Sequence, residues 1–373
     1  MKNRNINSTT CAAEPGAFSN TINAIRTEIG KAFLGNEEII DKILTIMIAR
    51  GHILLEDIPG VGKTTLALAL SRAVALPFRR VQFTPDVVPS DITGFNMYDR
   101  QTGSFRYVPG AAMCSILLAD EINRTSSKTQ SALLEVMQEG QITVDGSMHK
   151  VPQPFMVIAT QNPVGTSGTQ PLPEGQLDRF TMQLSIGYPD RASAIAIMKS
   201  QSADNPLDSV EQAADAEIIM QMQKAADQLY TDDKIYTYVA ALCEETRGHP
   251  LIRLGISPRG SLSICAAARA RAFIQGRDFV IPEDVDKVFL DCARHRLILD
   301  PKARLNRKTP DAILREILET VPHPDITRKP DATRKPDASQ IPGSVRKPEA
   351  TRETDKPQAE KPDTSSAQSG GQT

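Results

Sequence analysis

The chain has 373 residues, 40% hydrophobic and 24% charged, enough apolar material for one or two cores. Its formal net charge of -2, with an isoelectric point near 6.3, excludes the global positive field that gathers nucleic acid or anionic membrane. No apolar run approaches the roughly 18 residues of a bilayer crossing, residues 1–15 lack a secretory leader's apolar stretch, and Cys11, Cys114, Cys243, Cys265 and Cys292 show no metal-ligand spacing; a cytoplasmic protein with reduced thiols is expected.

Residues 1–18 read as a flexible N-terminus. The first expected strand, His52–Leu55, runs into the sequence Leu54-Leu-Glu-Asp-Ile-Pro-Gly-Val-Gly-Lys-Thr-Thr65 and then into an amphipathic helix. A strand, a glycine loop ending in Gly-Lys-Thr and a helix N-terminus together form a phosphate cradle, the Walker A arrangement. Gly60 and Gly62 allow backbone N–H groups to approach phosphate oxygens, and the helix end at Lys63 adds its positive dipole. Lys63 is expected to bridge the β- and γ-phosphates and Thr64 to ligate Mg²⁺ through its hydroxyl. The pattern's first glycine is replaced by Asp57, so the strict motif fails.

A second strand is expected over Phe78–Phe83, followed by a loop-rich segment, Thr84–Pro109. The third, Ile116–Leu118, leads into Asp120-Glu121. Two carboxylates at a strand end beside a phosphate loop suit Walker B chemistry, with Asp120 holding Mg²⁺ through water and Glu121 polarising the attacking water. A hairpin is predicted over Gln141–Pro154, because Asp145-Gly146 is a favoured two-residue turn between β-prone residues. The fourth strand, Phe155–Ala159, precedes Asn162, which is placed to orient the attacking water or the γ-phosphate. Leu172–Phe180 offers Arg179 as an arginine finger reaching a neighbouring subunit's γ-phosphate; the plainer alternative is an intramolecular pair with Asp178 or Glu174. Met182–Ile186 is the fifth strand.

Near-continuous apolar runs in these strands suit a parallel sheet covered on both faces. Beyond Asp190 only helical periodicity remains, over Ala192–Ser200, Ala213–Leu229, Ile235–Glu245, Ser261–Ile274 and Pro282–Arg294. Arg259 follows Pro258 at a helix start, where it suits a sensor 2 arginine folding over the nucleotide or, alone, a charged cap. The organisation expected is an α/β nucleotide-binding domain over 19–189, a helical lid over 190–321 and a disordered tail over 322–373. The tail lacks aromatic residues and repeats a hexad at Arg328–Thr333, Arg334–Ser339 and Arg346–Thr351, which suits a tether or an inert spacer.

The ordered set Gly35-Asn-Glu, Glu56–Thr64, Ala119–Arg124, Thr129–Gly140, Ala159–Pro163 and Leu172–Phe180 resembles the MoxR family of AAA+ ATPases, over about Ser19–Thr320. Asp57 in place of the first Walker glycine is typical of that family. The resemblance implies a P-loop sheet of order 5-1-4-3-2 with a helical lid. It also implies assembly into a ring, commonly a hexamer, with ATP at subunit junctions. Around the nucleotide it adds Gly35, Asp57, Ile58, Pro59, Val61 and Thr65 to Gly60, Gly62, Lys63, Thr64 and Asp120. Family members act as chaperone-like remodellers, often beside proteins carrying a von Willebrand factor A domain. The segments at 84–109 and 141–154 resemble helix-2-insert elements that face a ring channel, though simple surface loops remain open. A DNA-directed motor is the alternative, against which the hairpin offers His149 and Lys150 but no basic, aromatic-interleaved stripe. A nucleotide-gated switch with low turnover is a third reading, opposed by the complete set Asp120, Glu121, Asn162 and Arg179.

Overall fold

The structure is a computed structural model that describes residues 15–58, 60–161, 171–200 and 205–326, all within one compact unit, 1–329. Two helices open it, α1 (Ser19–Ala32) and α2 (Glu37–Ile48). α1 buries Ile22, Ile25 and Ile29 on one stripe. α2 begins where the Asn36 side chain accepts from the Glu38 N–H, and Glu37 and Glu38 meet its positive end. Neither helix was anticipated from the sequence, although both carry the Ile periodicity and α2 the cap that would have signalled them.

The α/β layer then follows as β1 (Ile53–Glu56), α3 (Lys63–Ala73), β2 (Phe78–Gln82), α4 (Pro89–Thr93), β3 (Gly94–Asp99) and β4 (Ser104–Pro109). It continues with β5 (Ile116–Asp120), α5 (Ser127–Glu139), β6 (Gln141–Val144), β7 (Ser147–Lys150), β8 (Met156–Gln161), α6 (Glu174–Leu177) and β9 (Met182–Leu184). Five of these strands form a parallel sheet of order β2-β5-β8-β1-β9. Counted as sheet strands from the β9 edge this is the expected order 5-1-4-3-2. Alternate residues feed two cores: Ile53, Leu55, Ile116, Leu118 and Ile158 pack on one face, and Leu54, Leu117, Ala119, Val157 and Ala159 on the other. Burial on both faces is why β1, β5 and β8 read as unbroken apolar runs, whereas the edge strand β2, Phe-Arg-Arg-Val-Gln, is half exposed.

Residues 84–109, expected to be loop-rich, instead form α4 and an antiparallel β3–β4 hairpin. The predicted hairpin forms as β6–β7, with positive φ at both Asp145 and Gly146, as a type I′ turn requires. The two hairpins meet where the Tyr107 and His149 rings stack, centroids 3.7 Å apart, and Asn96 donates to Asp145 at 2.9 Å.

The remainder is α7 (Arg191–Ser200), α8 (Ala216–Asp227), α9 (Asp233–Gly248), β10 (Ile252–Leu254), α10 (Pro258–Ile274), α11 (Pro282–Ala293), β11 (Ile298–Leu299), α12 (Pro301–Leu305) and α13 (Pro310–Thr320). Caps move the expected helix starts. The Asp215 side chain accepts from Ile218 N–H to begin α8, Asp232 caps α9, and Ser257 caps α10 with Pro258 in its first turn. An antiparallel pairing of β10 with β11 interrupts the helices; strands this short carry no readable period. Val321 and Ile326 pack against the core, and His323 lies edge-on to Tyr238 with Nε2 2.9 Å from Asp286. Chain expected to belong to the tail from Pro322 is therefore docked as far as Ile326. The hexad repeats lie outside the described residues. No helix among the described residues is long and apolar enough to cross a membrane.

Candidate nucleotide site

The C-terminal ends of β1, β5 and β8 converge on the loop between β1 and α3. Gly62 is the N-cap of α3, with φ +91°, a left-handed backbone that a side chain would strain by about 1–2 kcal/mol. It supplies no capping side chain, so the first N–H groups of α3 remain open to an anion. Lys63 Nζ donates to the Asp57 carbonyl at 2.6 Å. Burial pulls the Lys63 pKa down, against the opposing pull of Asp57, Asp120, Glu121 and Glu56.

Asp120 ends the wholly buried β5 and accepts from Arg80 Nε at 2.7 Å and from the Thr160 hydroxyl at 3.1 Å. The same hydroxyl accepts the Glu121 N–H at 2.9 Å. Glu121 has φ +56° and ψ +48°, left-handed for a residue with a side chain, and Arg124 donates to its Oε2 at 3.0 Å. Thr160 thus joins both acidic residues from the neighbouring strand, an arrangement that follows from the β5–β8 register Ala119↔Ala159.

Two cavities adjoin along the loop. Lys63, Thr64, Arg80, Asp120, Glu121 and Thr160 line one of about 360 Å³, together with Gly60, Gly62, Thr65 and Gln82. The second, about 610 Å³, shares Gly60, Gly62 and Thr65 and is walled by Phe33, Gly35, Val61, Ile186, Tyr188 and Asp190, among others. The first has cations for phosphate and carboxylates for a divalent ion; the second has the size and mixed polarity for a nucleoside. Open helix N–H groups beside Lys63 and the Asp120-Glu121 pair fit a magnesium polyphosphate.

Of the residues expected around the nucleotide, Gly35, Gly60, Val61, Gly62, Lys63, Thr64, Thr65, Asp120 and Glu121 line one or both cavities. Asp57 and the half-buried Ile58 line neither; the Asp57 carboxylate turns away to accept from Ser185 and from the N–H groups of Ile186 and Gly187. Pro59 and Asn162 lie outside the described residues.

Arg179 and Arg259 also stand outside both cavities. Neither alternative pairing of Arg179 forms. Asp178 is taken by Arg296 at 2.7 Å and the Ser257 hydroxyl at 2.8 Å, and the buried Arg179 Nε finds no hydrogen-bond partner among the described residues. Arg259 donates to Gln138 on α5 at 3.3 Å, away from the chain's own phosphate loop, so the cap at Ser257 does not fold it over this cleft.

Sequence reasoning missed Arg80, Gln82 and Thr160. Thr160 stood in plain view two residues before Asn162, and strand register supplies its role. Arg80 and Gln82 become legible only once β2 is known to border β5, with Gln82 opposite Asp120.

Residues 52–182 match the family model described as ATPase family associated with various cellular activities, and 244–317 match the AAA lid domain. The chain is 44% identical to the uncharacterised protein YeaC of Bacillus subtilis, over 79% of this chain and 92% of that one. It is 37% identical to chaperone MoxR1 of Mycobacterium tuberculosis, over 80% of this chain and 81% of the relative. A crystal structure of a Cytophaga hutchinsonii protein assigned as an ATPase superposes with TM-score 0.78 and 34% identity, covering 83% of this chain and 97% of that one.

Proposed function

Because the chain belongs to the MoxR family of AAA+ ATPases, we propose that it couples magnesium-dependent ATP hydrolysis to chaperone-like remodelling or maturation of partner proteins. The observation that carries this reading is the pair of adjoining cavities, one lined by Lys63, Asp120 and Glu121 and the other larger and of mixed polarity, sharing Gly60, Gly62 and Thr65.

In this reading the α3 N–H groups and Lys63 hold the β- and γ-phosphates, and Thr64 and Asp120 hold Mg²⁺. Bound there, the ion would neutralise charge on the phosphate oxygens. Glu121, 22% exposed at its side chain, takes the proton of the attacking water, and Thr160 aims it. Asn162 orients that water or the γ-phosphate. Arg179, with an unpartnered Nε and its acidic neighbour already engaged, is available to a second copy; Arg259, turned from its own cleft, serves the same junction. A ring, commonly a hexamer in the family, would bring these arginines to a neighbour's phosphates. The β3–β4 hairpin exposes Phe95 and Met97 on one face and the paired Tyr98 and Phe105 on the other, apolar side chains suited to a polypeptide client. A protein with a von Willebrand factor A domain is the client the family suggests, and the cytoplasm the compartment.

Steady-state ATP turnover of the purified chain tests the reading. Lys63→Ala should lose tight nucleotide binding, whereas Glu121→Gln should bind ATP and turn it over at least about a hundredfold more slowly. Stimulation by single-stranded DNA with none by protein partners would favour the DNA-directed alternative.

A further inference from the structure

Asp57 occupies the position where the phosphate-loop pattern has its first glycine. The residue is buried, at 6% exposure, and a single segment fills both of its carboxylate oxygens. Ser185 Oγ donates to Oδ1 at 2.8 Å, Gly187 N–H to Oδ1 at 3.1 Å and Ile186 N–H to Oδ2 at 2.6 Å. The amides of Ile186 and Gly187 thus converge on one carboxylate, and Gly187, with φ +72°, redirects the chain beyond them.

This segment leaves the edge strand β9 and, among the described residues, has no further strand to pair with. Its next residues, Ile186–Asp190, wall the 610 Å³ cavity before α7 starts at Arg191. The carbonyl of the same Asp57 receives Lys63 Nζ. One residue therefore touches both ends of the cleft: its backbone meets the phosphate lysine, and its carboxylate meets the wall of the other cavity.

We propose that Asp57 is a positioning residue for nucleoside recognition, latching the Ile186–Asp190 wall to the phosphate loop. The proposal rests on the reading of the cleft as a nucleotide site. A glycine at 57 would complete the phosphate pattern yet leave two amides and a hydroxyl without their acceptor, freeing the wall. Preorganisation of a wall acts on the part of the ligand it faces. The latch thus supports binding of base and ribose while leaving phosphate binding to the α3 N–H groups and Lys63. Motif matching alone makes the opposite prediction, that Asp57→Gly improves the loop.

The test measures dissociation constants of the full-length chain for ADP and for tripolyphosphate, a probe without base or ribose, both with Mg²⁺. Asp57→Asn keeps the size but places an amide donor against the Ile186 or Gly187 N–H; Asp57→Gly removes the latch. Both should weaken ADP about tenfold or more and tripolyphosphate less than about threefold. Hydrogen exchange of the unliganded variants should quicken at 185–190 but not in α3. Parallel weakening of both probes, or ADP binding unchanged or tightened in Asp57→Gly, overturns the proposal. Should these variants melt below the assay temperature, Ser185→Ala, which drops one bond, carries the same split: ADP weakened about threefold, tripolyphosphate unchanged. A wild-type chain that binds neither probe overturns the nucleotide reading itself, and the latch with it.

Discussion

Thr160 shows how much of the proposed chemistry hangs on a residue that acts through its neighbours. Its hydroxyl donates to Asp120 and accepts from the Glu121 N–H, and it is buried. Without that acceptor the amide of Glu121, already in a left-handed backbone, loses the contact that defines its direction. A buried polar group left unpaired costs about 1–3 kcal/mol. Thr160→Val, which keeps the shape and removes the hydroxyl, should lower kcat about tenfold or more with a smaller change in KM, and Thr160→Ser should restore most of it. Steady-state kinetics at saturating Mg²⁺ decide it; a Val variant with unchanged kcat would separate Thr160 from catalysis. The Arg80–Asp120 pair is a weaker contributor, since Arg80 is half exposed and such pairs give about 0–1 kcal/mol.

Between elements, His52 is a buried junction away from the cleft. It precedes β1, accepts the Val157 N–H of β8 at Nδ1 and donates from Nε2 to the Met137 carbonyl of α5, both at 3.0 Å. Burial pushes its pKa down from 6.5 to about 4, so the folded chain holds it neutral. The sign follows: the unfolded state takes up this proton below pH 6.5 and the folded state only near 4. Stability is therefore complete above 6.5 and falls as pH drops towards 4, by about 2 kcal/mol at pH 5 from this group alone. His295, buried and next to Arg296, is shifted in the same direction. Melting temperatures between pH 7.5 and 5 should fall more steeply in wild type than in His52→Gln, which starts less stable. Parallel profiles would remove His52 from the acid response.

For the whole molecule, function turns on what the two arginines face. Arg179 and Arg259 flank the Asp178–Ser257 contact, and neither lines the chain's own cleft. If they act across a subunit junction, Arg179→Ala should bind nucleotide almost normally and lose turnover by about a thousandfold. Mixing it with Glu121→Gln should then recover part of the activity, because some junctions pair an intact arginine with an intact glutamate. Co-assembled mixtures that stay inactive would count against action in trans.

The family resemblance supplied the order of the sheet; the sequence alone determined its parallel strands, the phosphate loop, the acidic strand end and the β6–β7 hairpin. Each is a local pattern, an apolar run, a glycine pair or a turn dipeptide, whose meaning depends on neighbours in the chain. Tertiary structure decided what depends on distant neighbours. It turned the Asp57 carboxylate from the phosphates to Ser185, set Thr160 and Arg80 against Asp120 through strand register, and engaged Asp178 with Arg296 so that Arg179 was left without it. It also carried ordered chain to Ile326, where polar composition had suggested none, because Val321 and Ile326 reach apolar surface that only the folded helices present. Hydrogen-bond partners far apart in sequence leave no periodicity to read, and burial pairs them only once the sheet has closed.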